Sequence, residues 1–240
     1  MDMYQDPPDQ RVAALESEFS DFSYIVAHDL AAPLRHVKGF LGLLSRDLDT
    51  VLTDRQQDML RRIDRAADKG EALLAELGVY ARVQQRPLDL AEYEAADLFK
   101  DARRALNQAV KDSGAEIVVG PLGRVVVDRM LMVEALRRIL DNCLRFRRPD
   151  VPLRIEIDRI ADSEDWVVRV ADNGVGLPAD QHEKVFRMFY RLTADQGEPP
   201  PGTGLTIGRR ILRRHGGDIR FVERSDGACV ELRLPAAAIA

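Results

Sequence analysis

Along the first third of the chain, apolar residues return at helical spacing. With His28 as the origin of a helical wheel and about 100° added per residue, one stripe collects Val12, Leu15, Phe19, Phe22, Val26, Leu30, Leu34, Val37, Phe40, Leu41, Leu44 and Leu48. These positions fall between roughly 120° and 240°, and Ile25 is the main exception. The pattern predicts a helix over 10–47. A second helical pattern covers 54–84, and the two join near "DLDTVLTD", where Thr53 or Asp54 is placed to cap the second helix. A stripe sustained for about ten turns exceeds what one neighbouring helix can cover, so a bundle completed by a second copy of the chain is expected.

Pro87 interrupts this pattern and the composition changes. "AEIVVG", "GRVVVD", "LRIEIDRI", "DWVVRVAD", "GDIRFVER" and "ACVELRLP" read as strands, mostly with period-two alternation. "EYEAADLFKDARRALNQAVKDSG", stopped by Gly114, reads as a helix, as do "RMLMVEALRRILDNCLRF" and "GLTIGRRILRRHGG". The expected fold has two domains. Residues 10–85 form an antiparallel helical hairpin, paired into a dimeric four-helix bundle, and residues 88–237 form an α+β sandwich large enough for its own core.

Bulk properties narrow the possible partners. The 240 residues are 45% hydrophobic and 31% charged, as in folded soluble domains. A net charge of −5 offers no electrostatic footing for nucleic acid or an anionic membrane. No apolar run approaches the ~18 residues of a membrane span, and "MDMYQDPPDQ" lacks the apolar core of a signal peptide. Membrane insertion is therefore not expected. Cys143 and Cys229 form no CxxC pair, which suggests neither a zinc site nor a disulfide framework and fits a reduced, cytoplasmic setting.

The candidate chemistry is spread along the chain. His28 points away from the apolar stripe, Asp29 follows it, and the small Ala31 and Ala32 leave its imidazole open to a large visitor. An exposed helix histidine is usually only a solvated side chain, and His36, with no acid neighbour, reads that way. His182 and His215 read as structural, His215 as a cation suited to the helix end in "RRHGG". Downstream, "WVVRVADNGVGLP" places Asp172 at a strand end before Gly174 and Gly176, where a ligand can approach the backbone closely. "PPPGTGLTIGRRI" puts Gly202 and Gly204 at a helix start, whose free amides and dipole suit phosphate. The long stretch between these turns reads as a lid. Asn142, inside a helix, can offer an oxygen to Mg²⁺, and Arg145, three residues on, can reach a phosphate.

Taken in this order, the motifs resemble the catalytic core of sensor histidine kinases over nearly the whole chain. "HDLAAPLRHVKGF" resembles the H-box of the dimerisation and phosphotransfer hairpin, in the version of phytochrome-type kinases. "LDNCLRF" resembles the N-box, "DNGVGL" the G1 box, "VFRMFYRL" the F-box and "GTGLTIG" the G2 box. The resemblance implies a two-component kinase that moves the γ-phosphoryl group of ATP to His28, aided by Asp29, and then to an aspartate on the receiver domain of a response regulator. It implies Mg²⁺ on Asn142, adenine recognition by Asp172, and nucleotide contacts from Arg145, Gly174, Gly176, Gly202, Thr203, Gly204 and Leu205.

Several positions depart from the family pattern. Arg138 stands where the family usually has Asn and related ATPases have a water-activating Glu; since Arg cannot act as a base, direct ATP hydrolysis is not expected. Thr206 replaces a glycine of the G2 box and either stiffens the lid or crowds the phosphates. Ala31 replaces an arginine common in this H-box type. Ala32 offers no group to guide water, which implies weak phosphatase activity. Arg138 and Thr206 leave a second reading open: a phosphotransfer or scaffold dimer with a degenerate ATP-binding domain. A third, an ATPase of the gyrase or chaperone class, is disfavoured by Arg138 and by the His28 hairpin.

Overall fold

The computed structural model describes residues 8–48, 51–160, 164–192 and 201–238. The side chain of Val12, the centre of "DLDTVLTD" and most of "EPPPG" lie outside the described residues, as do residues 193–200, on which the reading of a lid depends. The chain separates into two compact units, Met1–Arg86 and Pro87–Ala240.

In the first unit, α1 (Pro8–Asp47) and α2 (Asp54–Gln85) form an antiparallel hairpin. Thr53 caps α2. Its hydroxyl accepts from the Gln56 backbone N–H, and the Gln56 side chain accepts from the Thr53 N–H. Such a reciprocal box satisfies two otherwise orphaned donors and is worth about 1 kcal/mol. At its other end α2 stops at Arg86, which is extended, as a residue preceding a proline tends to be.

The two helices meet through small residues. Ser20, Ser23 and Ala27 of α1 are buried, as are Ala67, Gly78 and Ala81 of α2. The Ser20 hydroxyl donates to the Ala81 carbonyl at 3.1 Å, and a Cβ at Gly78 would sit 3.8 Å from that of Ala27. Lys38 bridges the hairpin to Asp68 at 2.6 Å and Glu71 at 2.8 Å, and hydrogen bonds to those two acids hold its ammonium above its ordinary value. On the wheel this contact face lies at about 220–280°, on the flank of the apolar stripe. The stripe itself is left open: Phe22 is 63% and Phe40 70% exposed, and Leu15, Leu30, Val37 and Leu44 are exposed with them.

The second unit is a layer of helices on a sheet. Its elements are β1 (Leu90–Glu94), α3 (Ala95–Ala105), α4 (Asn107–Ser113), β2 (Glu116–Val119), β3 (Arg124–Asp128), α5 (Arg129–Arg145), β4 (Arg154–Arg159), β5 (Trp166–Asp172), α6 (Gly204–Arg214), β6 (Asp218–Val222) and β7 (Ala228–Leu234). The main sheet runs β2-β4-β5-β7-β6, with β2 parallel to β4 and every other pairing antiparallel. Alternation along β4 buries Ile155 and Ile157, and α5 and α6 contribute Leu136, Ile139, Ile207 and Ile211 to the same core. α5 packs against both α3 and α6. Trp166, at the start of β5, is buried, with its indole N–H donating to the Leu122 carbonyl at 2.9 Å.

Two expectations are corrected here. The single helix over "EYEAADLFKDARRALNQAVKDSG" is a strand followed by two helices. Glu92, Tyr93 and Glu94 belong to β1, paired antiparallel with Val126, Val125 and Arg124. β1 is mostly exposed and shows no apolar alternation, so only its partner strand specifies it. The helical run then breaks at Leu106, whose N–H turns back to the Arg103 carbonyl. The second correction concerns His215, which is not a helix-end cation. Its Nδ1 lies 2.8 Å from the Ile211 carbonyl, which can only accept, so Nδ1 carries the proton and Nε2 accepts from the Asp128 N–H at 3.0 Å. Burial lowers its pKa, and the neutral ring joins the end of α6 to the start of α5.

Candidate functional site

In the hairpin unit, the side chains of His28 and Asp29 are 77% and 68% exposed. Successive helix residues do not share a face, yet the Asp29 carboxylate turns back to reach the ring, with Oδ1 3.0 Å from Nδ1. An ionised carboxylate only accepts, so this contact places the imidazole proton on Nδ1 and leaves the Nε2 lone pair unprotonated. His28 borders a cavity of about 490 Å³ between the helices, with Ala31 and Arg35 from α1 and Leu74, Gly78 and Arg82 from α2. His36 is exposed.

In the second unit, helix α5 is the element shared by the remaining candidates. Arg138, Asn142 and Phe146 follow at intervals of four and so lie on one side of it. At the far end of that face, Phe146 receives the turn after β5: its carbonyl accepts from the Val175 N–H at 2.9 Å, and a Cβ at Gly174 would come within 2.4 Å of the same oxygen. Only glycine allows the turn to lie this close to α5. Asp172, at the end of the central strand β5, is 7% exposed. Its Oδ1 accepts from the Gly174 N–H at 2.8 Å and the Ala228 N–H at 3.3 Å. Gly176 sits against the carbonyl of Gly227.

The other end of the α5 face meets the start of α6. Gly204 is the first residue of α6, and a Cβ there would lie 4.0 Å from that of Arg138. Arg138 is itself buried. Its Nε donates to Glu134 at 2.7 Å, and Arg137 grips the same carboxylate with two bonds of 2.8 Å. Although burial works against it, the two guanidinium groups hold the Glu134 pKa below its ordinary value. Thr203 and Leu205 are buried on either side of Gly204, and Gly202 is tucked against the Tyr190 carbonyl. Thr206 does not crowd the helix start: its hydroxyl donates to the Phe186 carbonyl at 2.9 Å, tying α6 to the short 3-10 turn Lys184–Phe186.

The structure thus gathers Asp172, Gly174 and Gly176 at one end of α5, Gly202 to Leu205 at the other, and Asn142 between them. Arg145 is placed differently from the expectation. Its guanidinium is taken by Asp141 at 2.7 Å, one turn back, so it does not stand ready for a phosphate. Sequence reasoning also missed two residues. Gly227, at φ +79, holds the β6–β7 turn against Asp172, where a Cβ would overlap the Asp172 carbonyl oxygen at 1.8 Å. The Asp-Gly of "RSDGAC" between two strands was an available signal for such a turn. Cys143 is buried with its thiol hydrogen-bonded to Asp172. Burial, followed by the Asp172 charge, pushes this thiol well above its ordinary value. A buried cysteine carries no sequence signal for such a role.

The donor set fits a hydrated magnesium ion. The Asn142 amide is half-buried on the shared face and has no side-chain hydrogen bond among the described residues. Those residues contain no group of three His, Cys, Asp or Glu side chains that could cage a metal. One neutral oxygen suits an ion that keeps its own waters and phosphate ligands.

Comparison with known proteins agrees with this division. Residues 20–86 match the His Kinase A (phospho-acceptor) domain, and residues 127–238 match the histidine kinase-, DNA gyrase B- and HSP90-like ATPase family. The methanogenesis regulatory histidine kinase FilI of Methanothrix harundinacea is 33% identical over 226 residues, covering 93% of this chain and 25% of FilI. The phytochrome-like protein Cph1 of Synechocystis sp. is 28% identical over 212 residues, covering 88% of this chain and 28% of Cph1. The chain therefore spans about a quarter of the length of these relatives. Among solved structures, full-length ShkA in complex with AMPPNP shares the fold, with a TM-score of 0.64, 21% identity, and coverage of 90% of this chain and 45% of ShkA. The chain belongs to the sensor histidine kinases and carries both parts of their catalytic core, the phospho-acceptor hairpin and the ATPase-type domain. Among the described residues, no helix is long and apolar enough to cross a membrane.

Proposed function

We propose that the chain is the dimeric catalytic core of a two-component kinase that transfers the γ-phosphoryl group of ATP to Nε2 of His28, and from there to an aspartate of a response-regulator receiver domain. The His28–Asp29 pair carries this reading. Because Asp29 engages Nδ1, the lone pair of Nε2 is free to form the new N–P bond as the bond to the ADP oxygen breaks. The ring becomes positively charged in that step, and Asp29 stabilises it or accepts the Nδ1 proton. In the second unit, the backbone at Gly202 and Gly204 and the N-terminus of α6 receive phosphate oxygens, while Asp172 accepts from the adenine amino group. Mg²⁺ on the Asn142 oxygen would neutralise phosphate charge. The open stripe of α1, with Phe22 and Phe40 largely exposed, supports a second copy of the chain as the hairpin's partner.

Incubation with γ-labelled ATP tests the proposal. Label that is stable in base and labile in acid supports phosphohistidine, and release of free phosphate alone would instead indicate an ATPase. One observation favours the second reading, a scaffold dimer with a degenerate nucleotide domain: Arg138 fills the place beside Gly204. Calorimetry separates the two, since the scaffold binds no ATP and the kinase binds it with Mg²⁺ present.

A further inference from the structure

Asp172 is a buried carboxylate at the end of a central strand, and several donors hold it in place. Two are backbone N–H groups, of Gly174 and Ala228, and both converge on Oδ1. These come from the turn after β5 and from the start of β7, and both are present whatever side chains surround them. The third donor is a side chain, the thiol of Cys143. Cys143 lies on α5, immediately after Asn142 and one helical turn before Phe146, whose carbonyl holds the Gly174 turn. It is 4% exposed.

A carboxylate has about four acceptor sites. With both backbone donors on Oδ1, rotation about the carboxyl's own bond is restrained at one oxygen only. A donor from α5 adds a restraint from a different direction. It also satisfies part of a buried anion that otherwise lacks water.

We infer that Cys143 is a positioning residue for base recognition: its thiol donates to the Asp172 carboxylate and orients it toward the exocyclic amino group of adenine. The inference rests on the reading of Asp172 as the adenine acceptor. Cys143 itself touches no nucleotide, and its effect passes entirely through Asp172. Removing the thiol should therefore weaken recognition of the 6-amino group while leaving phosphate and sugar binding unchanged.

The experiment compares binding of ATP with binding of inosine triphosphate, which carries a 6-oxo group in place of the amine. Both are titrated calorimetrically against the full chain in Mg²⁺. Four proteins are used: unmodified, Cys143→Ala, Cys143→Ser and Asp172→Ala, each with its melting temperature recorded. The unmodified chain is expected to prefer ATP. Cys143→Ala should lower that preference about 5–10-fold, the scale of one hydrogen bond to a charged group. Cys143→Ser, which retains a donor, should stay within about twofold of the unmodified chain. Asp172→Ala should abolish the preference.

An equal loss of ATP and inosine triphosphate binding in Cys143→Ala, with the preference intact, would make Cys143 a packing residue and overturn the inference. So would a preference unchanged by Cys143→Ala but abolished by Asp172→Ala. If Asp172→Ala itself leaves the preference unchanged, the reading of Asp172 as the adenine acceptor fails first, and the role of Cys143 fails with it. If Cys143→Ala unfolds the chain, Cys143→Ser decides, because a hydroxyl that folds but loses the preference would count against orientation by a donor.

Discussion

The hairpin and the α/β unit solve opposite problems. In the hairpin the candidate reactive group is on the surface, and a single contact, from Asp29, specifies its chemistry. The helices meet through serine, alanine and glycine, and the large apolar residues face outward. In the α/β unit the large apolar residues are inside, and the candidate recognition group, Asp172, is buried among backbone donors. A surface nucleophile must be reachable by more than one partner, so little of the fold leans on it. A buried carboxylate is useful only if its orientation is fixed, so much of the fold leans on it. Chemistry and stability should therefore separate in the first unit and move together in the second.

The sharpest test is His28→Gln, which should abolish labelling from γ-labelled ATP, a loss of at least about a thousandfold, while His36→Gln retains it. Denaturation of His28→Gln should match the unmodified chain within about 0.5 kcal/mol, as for an exposed substitution. Label persisting on His28→Gln would break the comparison at its centre. Next, placing glutamate at both Phe22 and Phe40 should weaken self-association at least a hundredfold, about 3 kcal/mol. Light scattering at micromolar concentration should then report a monomer with its nucleotide binding unchanged. A third substitution probes the other unit. Gly227→Ala imposes a left-handed backbone on alanine and drives its Cβ into the Asp172 carbonyl, so it should cost at least about 2 kcal/mol. ATP binding should weaken in parallel, and a loss of binding without any loss of stability would contradict the coupling claimed for this unit.

The smallest expected effect is a pH dependence. The folded state depresses the pKa of His215 by burial from its ordinary 6.5, so the unfolded chain takes up the proton more readily. The contribution of His215 is full above about pH 6.5 and declines as pH falls below it toward the folded value. Urea unfolding at pH 7.5 and 5.5 should show a decline that is reduced in His215→Gln. An equal decline in both proteins would remove His215 as its source.

Much of this could be read from the chain itself. The wheel around His28 separated an apolar stripe from a reactive face, because helical geometry is local and needs no partner to define it. The Thr53 cap, the end of the run at Gly114 and six of the strands were legible for the same reason: alternation and capping are written in near neighbours. β1 was not, since its exposed residues become a strand only by pairing with β3, more than thirty residues on. Arg145 was assigned to a phosphate because spacing places it on a face, whereas the choice of Asp141 as its partner depends on rotamers and on charges around it. His215 was assigned a charge from the dipole of its own helix, and its neutrality comes from the Asp128 N–H, on a different element.

The sequence by itself determined which residues can do chemistry, since their types and local periodicities are properties of short segments. Only the tertiary structure decided how those residues are held. It turned Asp29 onto Nδ1, brought Gly227 and Cys143 to Asp172, and left the α1 stripe uncovered by α2. Each of these depends on groups distant in sequence or on a rotamer choice, and local pattern carries no information about either.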